Sequence, residues 1–548
     1  MSQRITVETN TAAEWVCHRE SACPDPFNDR KVDVLIRRSD GRVWRVPAYW
    51  SGGHEWRVRF SPPQPGLYAA QTEVSDGGGA CRLAEHAEVE LEAVPYEGDN
   101  PLLRHGPLGV APSGRTLQHA DGSPFFWLGD TWWMGLCNRL RWPEEFQLLT
   151  SDRVQKGFTV IQIVAGLYPD VPEFDWRGEN EAGFCWERQY ARINPAYFDM
   201  ADLRIQWLVR SGLVPCIVGC WGYYLPRMGI EKMKKHWRYL IARWGAYPVV
   251  WCLAGEAAMP YYLSNSREED ACFQRRGWTE LGRYVRQTDP YCRLVAIHPT
   301  EIGRDQVEDD AILDIDMLQT GHGGFDSVPN TVQKVCEERA RKPVRPVIVA
   351  EVNYEGIIHG TQAETQRLTF WTAFLSGAGG FTYGANGIWQ MNRREKPFGP
   401  SPHGGNWGTT PWDEAFRLPG STQVGLARRF IERYRWWEFQ PRQDWVEPAG
   451  NAADVKALFA AGIPRQVRIL YSFNPIFPWT SSGWFVTGIE RDAAYTAFYW
   501  DPRSGETHNL GRVSSDEKGR WRIPVQPAFD DWVLVLETEG ATRKSAIS

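Results

Sequence analysis

The spacing of apolar positions along this chain changes twice. Over the first hundred residues they alternate with polar ones: Trp56, Val58 and Phe60 are separated by Arg57 and Arg59, and the runs 32–38 and 42–46 flank Ser39-Asp40-Gly41. Period-two alternation broken by such a turn predicts half-buried antiparallel strands. Pro62-Pro63, Pro65-Gly66 and Gly77-Gly78-Gly79 punctuate the stretch, and no convincing helical period is present. The pattern predicts a small β-sandwich over 1–97, with 95–100 as its exit linker.

From residue 125 onward short apolar runs alternate with segments that carry helix starts and stops. The runs are 125–129, 159–164, 214–218, 249–253, 294–297, 315–318, 347–350 and 380–383. Pro143-Glu144-Glu145 opens one intervening helix, which ends before Lys156-Gly157-Phe158. Short, largely β-branched runs read as strands buried on both faces. Eight strand and helix pairs over about 300 residues fit a (β/α)8 TIM barrel, whose sites lie at the C-terminal ends of the strands. The barrel is assigned to 98–442. Past 442 the helical signals fade, 467–471, 493–500 and 532–536 are strand-like, and Asp501-Pro502-Arg503-Ser504-Gly505 is a turn. A second β-sandwich is expected over 443–548, its polar end 539–548 frayed.

Charge and composition narrow the function. The 548 residues hold 61 basic and 67 acidic side chains, a net charge of -6 with no basic block, which argues against nucleic acid as a partner. Twenty-eight tryptophans are a heavy loading. Most belong in a core, and a minority can line a cleft, where aromatic faces stack on sugar rings. The N-terminus lacks the apolar segment of a signal peptide and no run approaches a membrane span, so a cytoplasmic, membrane-free protein is expected. The eleven cysteines are scattered from Cys17 to Cys336 without framework spacing and read as reduced core thiols. Cys216 and Cys220 have no matching pair downstream, so no zinc site is assigned, and no cofactor.

Two strands end in a glutamate. V-V-W-C-L-A-G-E delivers Glu256 and R-P-V-I-V-A-E delivers Glu351. A strand-tip carboxylate can simply begin a solvated loop. Two in one barrel place two carboxylates at one rim, the arrangement that glycoside hydrolysis requires. The other strand tips bring Asp130 and Trp133, Gln162, Trp221, His298, Gln319 with His322, Tyr354, and Tyr383 with Trp389. Each has a plain alternative: Asp130 can cap a loop or pair with an arginine, the histidines can be rim hydrogen-bonders, and Tyr383 and Trp389 can pack. No metal motif is present. The five glycines within 377–387 lack the lysine of a phosphate loop and read as tight strand packing.

F-F-W-L-G-D-T-W-W, K-G-F-T-V-I-Q-I, W-C-L-A-G-E, A-E-V-N-Y-E-G and G-G-F-T-Y-G-A-N-G-I-W together resemble the apiosidase-like glycoside hydrolases. D-P-F-N-D and W-R-V-R-F-S-P-P-Q-P-G-L-Y are similar to the β-sandwich that precedes such barrels. Y-W-D-P-R-S-G and D-D-W-V-L-V-L-E resemble their so-called collagen-binding C-terminal domain. The resemblance implies Glu256 as acid/base and Glu351 as nucleophile. The chain departs from the family in carrying Ala254-Gly255-Glu256, where an aspartate often follows two glycines, which places the leaving-group position in question. The expected activity is a retaining hydrolase of a small glycoside or oligosaccharide, with furanosides such as apiosides or arabinosides in view. A β-pyranosidase and a non-catalytic carbohydrate-binding protein are the alternatives, and the oligomeric state is open.

Overall fold

The computed structural model describes residues 3–19, 23–76, 81–83, 89–473 and 483–542. The expected turn at 77–79 and the end of the expected frayed tail, 543–548, lie outside the described residues. The middle of the chain is a barrel of eight parallel strands: β1 (Trp127–Trp132), β2 (Val160–Val164), β3 (Val214–Val218), β4 (Val250–Cys252), β5 (Val295–Ala296), β6 (Asp316–Gln319), β7 (Val347–Glu351) and β8 (Gly380–Tyr383). They pair in the order β5-β4-β3-β2-β1-β8-β7-β6. Every position of β1, β2, β3 and β7 is buried, which is why apolar residues fill both faces of these segments instead of alternating, with Asp130, Thr131, Gln162 and Glu351 as buried polar exceptions.

Helices follow seven of the eight strands: α1 (Glu144–Lys156), α2 (Pro195–Arg210), α3 (Ile230–Trp244), α4 (Arg267–Thr288), α5 (Val328–Ala340), α6 (Ala363–Leu375) and α7 (Pro419–Ile431). α1 stops where the sequence predicts, at Gly157, which takes the left-handed φ of 90° and caps the last carbonyls. The fifth unit differs from the expected regular repeat. After β5 come two 3-10 turns, Gly303–Gln306 and Asp310–Ile312, in a stretch whose Pro299, Gly303 and four aspartates disfavour an α-helix. β5 and β6 do not pair with each other. The connecting loop bridges the seam instead, with Asp314 N donating to Val295 O at 2.8 Å and Gln319 N to Glu301 O at 3.0 Å.

Two β layers precede the barrel. One sheet runs Gln3–Glu8, Val89–Val94, Gly66–Asp76, Arg30–Arg38, Val43–Pro47, with Cys81–Leu83 beside Gly66–Asp76, and the other is Ala13–Arg19, Glu55–Phe60, Tyr49–Gly52. The Ser39-Asp40-Gly41 hairpin forms as the pattern predicts. Beyond α7 a sheet built on Phe459–Ile463, Val467–Ser472, Trp532–Glu537 and Thr496–Trp500 faces a short three-stranded sheet. Between them lies a separate apolar core around Trp445, Leu470 and Trp532.

Both flanking units are fastened to the barrel by buried ion pairs. From the first, Arg59 reaches Asp202 of α2 at 2.5 Å, where Arg243 of α3 also binds at 2.7 Å and the Trp244 indole donates at 2.7 Å. From the last, Asp531 accepts three hydrogen bonds from Arg367 of α6, and the Trp371 and Tyr471 rings stack nearby at 6.0 Å. Burial alone would push the Asp202 carboxyl up, but Arg243 and Arg59 outweigh it and hold the group at about 2. A depressed pKa contributes stability that is present above the unfolded value near 4 and is lost as pH falls through about 2. Asp202→Ala removes the anion that two buried guanidinium groups share, leaving Arg59 only Glu14 and Arg243 only Asp199, and is expected to cost about 3 kcal/mol. Urea unfolding at pH 7 checks this, and the gap from wild type should narrow below pH 4.

Candidate active site

The C-terminal ends of the strands enclose a cavity of about 230 Å3 into which both strand-tip glutamates open. Glu256 arrives there because β4 runs on through Leu253-Ala254-Gly255 and then turns into a left-handed conformation, φ 42° at Glu256 itself. Such a φ is costly for a residue with a Cβ and is tolerated where the surroundings over-determine it. The surroundings here are main chain and one indole. Gly222 N donates to Gly255 O at 2.7 Å, and the Trp221 ring lies flat against Gly255, where a Cβ would stand 2.2 Å from ring carbons. This contact aims the Trp221 indole N–H at Glu256 Oε2, 3.1 Å away, while Gln319 at the end of β6 donates to Oε1 at 3.0 Å.

Glu351 ends β7 and is nearly enclosed. His322 Nε2 lies 2.9 Å from one of its oxygens and His298 Nε2 3.2 Å from the other. His298 is fully buried and fixed by two indoles, with ring centroids 5.2 Å from Trp133 and 6.2 Å from Trp221. Tyr354 packs on the His322 ring at 4.7 Å, and its hydroxyl accepts from the Trp133 indole at 3.0 Å. Its own ring rests on Gly384, at a position where any side chain would collide at 2.0 Å. Trp389, stacked 6.3 Å from Tyr354, completes this wall.

The two carboxyls are driven in opposite directions. Burial pushes Glu256 up, the charge of Glu351 adds to that, and the Gln319 amide offsets only part, leaving it at about 7. Burial would raise Glu351 as well, but the hydrogen bonds and charge of His298 and His322 overcome it and hold Glu351 at about 2. At neutral pH one carboxyl is ionised and the other retains a large share of its proton.

Of the residues singled out in the sequence, Trp133, Trp221, Gln319, His322, Tyr354 and Trp389 line the cavity with the two glutamates. His298 stands behind Glu351. Three others are placed away from the cavity. Asp130 is wholly buried, paired with Arg153 of α1 at 2.5 Å and bonded to the Trp132 indole at 2.7 Å. Gln162 turns into the barrel interior and donates to Ala350 O at 2.9 Å. The Tyr383 hydroxyl is buried and donates to Glu355 at 2.5 Å. None of these three reaches the cavity.

Sequence reasoning missed the outer wall: Asp170, Met259, Tyr262, Ile357, His403 and Trp407. They sit several residues past a strand tip, in long loops after β2, β4, β7 and β8, where no periodicity marks a position. The one available signal was composition, since His403 and Trp407 lie in the Gly- and Pro-rich stretch F-G-P-S-P-H-G-G-N-W. Among the described residues no group of three or more His, Cys, Asp or Glu side chains is placed to hold a metal ion, and no helix is long and apolar enough to cross a membrane.

A parallel barrel with paired carboxyls, flanking β layers and an aromatic cavity at its strand ends defines the class of barrel glycoside hydrolases. The apiosidase-like catalytic domain matches residues 111–438, and the chain belongs to that family. It is a glycosidase. A domain of unknown function, DUF5060, matches residues 6–75. Among solved structures the chain is similar to one titled a glycoside hydrolase, with 22% identity, a TM-score of 0.66, and coverage of 81% of this chain and 99% of that one. A family 5 glycoside hydrolase from Bacteroides vulgatus superimposes at TM-score 0.66 with 20% identity, covering 82% of this chain and 97% of its own. A second structure from that organism covers 97% of this chain and 99% of its own, with 18% identity and a TM-score of 0.66. At these identities the likeness is one of fold. No curated protein matches.

The Gly255 contact carries a test. Gly255→Ala puts a methyl group where the Trp221 ring now lies, so the indole must leave the position from which it reaches Glu256. Stability is expected to fall by about 1 to 3 kcal/mol through overpacking. Glycoside turnover by the folded fraction should drop at least about tenfold, the worth of one hydrogen bond to a charged group. Unchanged turnover would show that the indole is not needed there.

Proposed function

We propose that this protein is a retaining glycoside hydrolase of small glycosides, with Glu351 as nucleophile and Glu256 as general acid and base. The observation that carries the reading is the opposite displacement of two carboxyls in one cavity, about 2 for Glu351 and about 7 for Glu256. Paired groups whose environments separate their pKa values in this way divide the roles of base and acid between them. Glu351, ionised and held at both oxygens, attacks the anomeric carbon while Glu256 gives its proton to the leaving oxygen. Water then enters, Glu256 takes its proton, and the glycosyl ester on Glu351 is hydrolysed with configuration retained. Gln319 and Trp221 hold the acid in place, and the Trp133 and Trp389 faces are available to stack on the sugar. A half-open cavity of about 230 Å3 has room for a small glycoside, in keeping with a furanoside such as an apioside or arabinoside.

The same reading takes 1–97 and 443–548 as units that pack on a catalytic barrel at 98–442, supported by the Arg59–Asp202 and Arg367–Asp531 pairs. It also takes the protein as cytoplasmic, supported by the free thiols of the ten cysteines, of eleven in the chain, whose side chains are described.

A panel of aryl furanosides and pyranosides, with the product anomer followed by proton NMR, tests the mechanism. Retained configuration is expected first, and an inverted product would overturn the assignment. kcat/KM should fall as pH rises through about 7, because Glu256 loses the proton that the leaving group needs. Since the two groups interact, the limbs of that profile belong to the pair. Glu351→Gln should lower kcat by at least about 10^4-fold, as losses of covalent nucleophiles do. Glu256→Ala should spare substrates with activated leaving groups and, with azide, yield a glycosyl azide of retained configuration.

A further inference from the structure

The outer wall of the cavity holds a third carboxyl that the reaction above does not use. Asp170 lies on the loop that follows β2, in a left-handed backbone conformation with φ 56°. Three loops meet at its side chain. The Ser401 hydroxyl, from the loop after β8, hydrogen-bonds to Asp170 Oδ1, and Tyr262, from the loop after β4, lines the cavity beside the same carboxyl and lowers its pKa. Ser401 in turn accepts the Trp407 indole N–H at 3.1 Å. The Tyr262 ring is braced edge-on by His403 at 4.9 Å.

The direction of these bonds decides what Asp170 can do. An indole can only donate, so Ser401 accepts from Trp407 and spends its proton on Asp170, which is thereby held as an acceptor. A carboxylate has about four acceptor sites, and the Ser401 hydroxyl leaves room for donors arriving from the cavity. No arginine or lysine stands among the described residues that line the cavity, while Glu256 and Glu351 do. Burial pushes the Asp170 carboxyl up and the charge of Glu351 adds to that against the pull of His403, and with the imidazoles of His322 and His403 as the basic groups in the lining, a further anion meets three carboxyls and no permanent cation.

We propose that Asp170, aimed by Ser401 and flanked by Tyr262, is the specificity-determining residue of this site: it accepts hydrogen bonds from two neighbouring hydroxyls of an uncharged sugar and turns away sugars that carry a carboxylate. The inference rests on the cavity being the glycosidase site, but not on which glutamate is the nucleophile.

Tryptophan fluorescence of the full chain reads it directly, since Trp133, Trp221, Trp389 and Trp407 line the cavity. The probes are D-apiose, L-arabinose, D-xylose, D-galactose and D-galacturonate. At least one neutral sugar should give a saturable change, with D-galacturonate binding at least about tenfold more weakly than the best of them. Asp170→Asn keeps the shape and removes the charge. It should weaken the neutral sugar at least about tenfold while narrowing the gap to galacturonate. Ser401→Ala should weaken it less, because the carboxylate stays but is no longer aimed. D-galacturonate binding as tightly as the best neutral sugar, no saturable neutral sugar, or full affinity in a folded Asp170→Asn variant would each overturn the proposal. The wild-type comparison needs no variant to fold. An inverted product alongside the expected binding pattern would sink the retaining mechanism and leave Asp170 in its role.

Discussion

The site depends on how the charge of Glu351 is compensated. A carboxylate removed from water needs partners, and the partners determine what else the cavity can hold. Two imidazoles supply them here, one on each oxygen. A lysine or arginine in their place would add a full permanent charge and pull Glu256 down as well. The imidazoles act chiefly on the carboxyl they touch; the pull of His298 on Glu256 is smaller than the push from burial and from the charge of Glu351, so Glu256 is held at about 7. The aromatic loading follows from the same need. His298 is oriented by Trp133 and Trp221, His322 by Tyr354, and two of these three rings also bond onward: Trp133 to Tyr354 and Trp221 to Glu256. The aromatic wall is therefore also the frame that fixes the polar groups.

The irregular fifth unit fits this arrangement. His298, Gln319 and His322, the polar side chains that hold the two glutamates, all come from the ends of β5 and β6, the two strands that do not pair. A regular ladder constrains strand tips to the register of their neighbours. At an open seam the loop after each strand can instead cross toward the centre, and the gap is closed by main-chain bonds from Asp314 N–H to Val295 O and from Gln319 N–H to Glu301 O. The loop that carries His322 continues into Phe325, whose ring meets Phe473 of the C-terminal unit at 5.5 Å. A flanking unit thus supports a loop of the site from outside.

The barrel was legible because burial on both strand faces leaves a strong mark: runs such as V-P-C-I-V and V-I-V-A are visible with no partner known. The absent fifth helix was less legible, since eight apolar runs imply eight crossovers and only the composition of 298–315 argues otherwise. The loops of the outer wall left no periodic trace at all. Asp170, Tyr262 and His403 are brought together by tertiary contacts between segments up to 233 residues apart, and apart from the Gly- and Pro-rich composition around His403 nothing local marks them.

Asp130, Gln162 and Tyr383 show why strand-tip polarity alone could not separate site from scaffold. A buried polar group at a strand end must be satisfied, and a substrate cavity and an internal partner satisfy it equally well. The partner is what differs. Asp130 meets Arg153, a cation supplied by the outer helix α1, and Tyr383 meets Glu355 within the wall, so both are complete without a ligand. Glu256 meets an amide and an indole, donors that orient a carboxyl without adding charge to it. Its free energy of burial is left partly uncompensated, and it is held in reserve as a raised pKa. A helix position that can send an arginine inward beneath a strand-tip carboxylate marks scaffold, and Arg153 was in plain sight in α1. A strand-tip carboxylate with no such cation facing it is the one to suspect of chemistry.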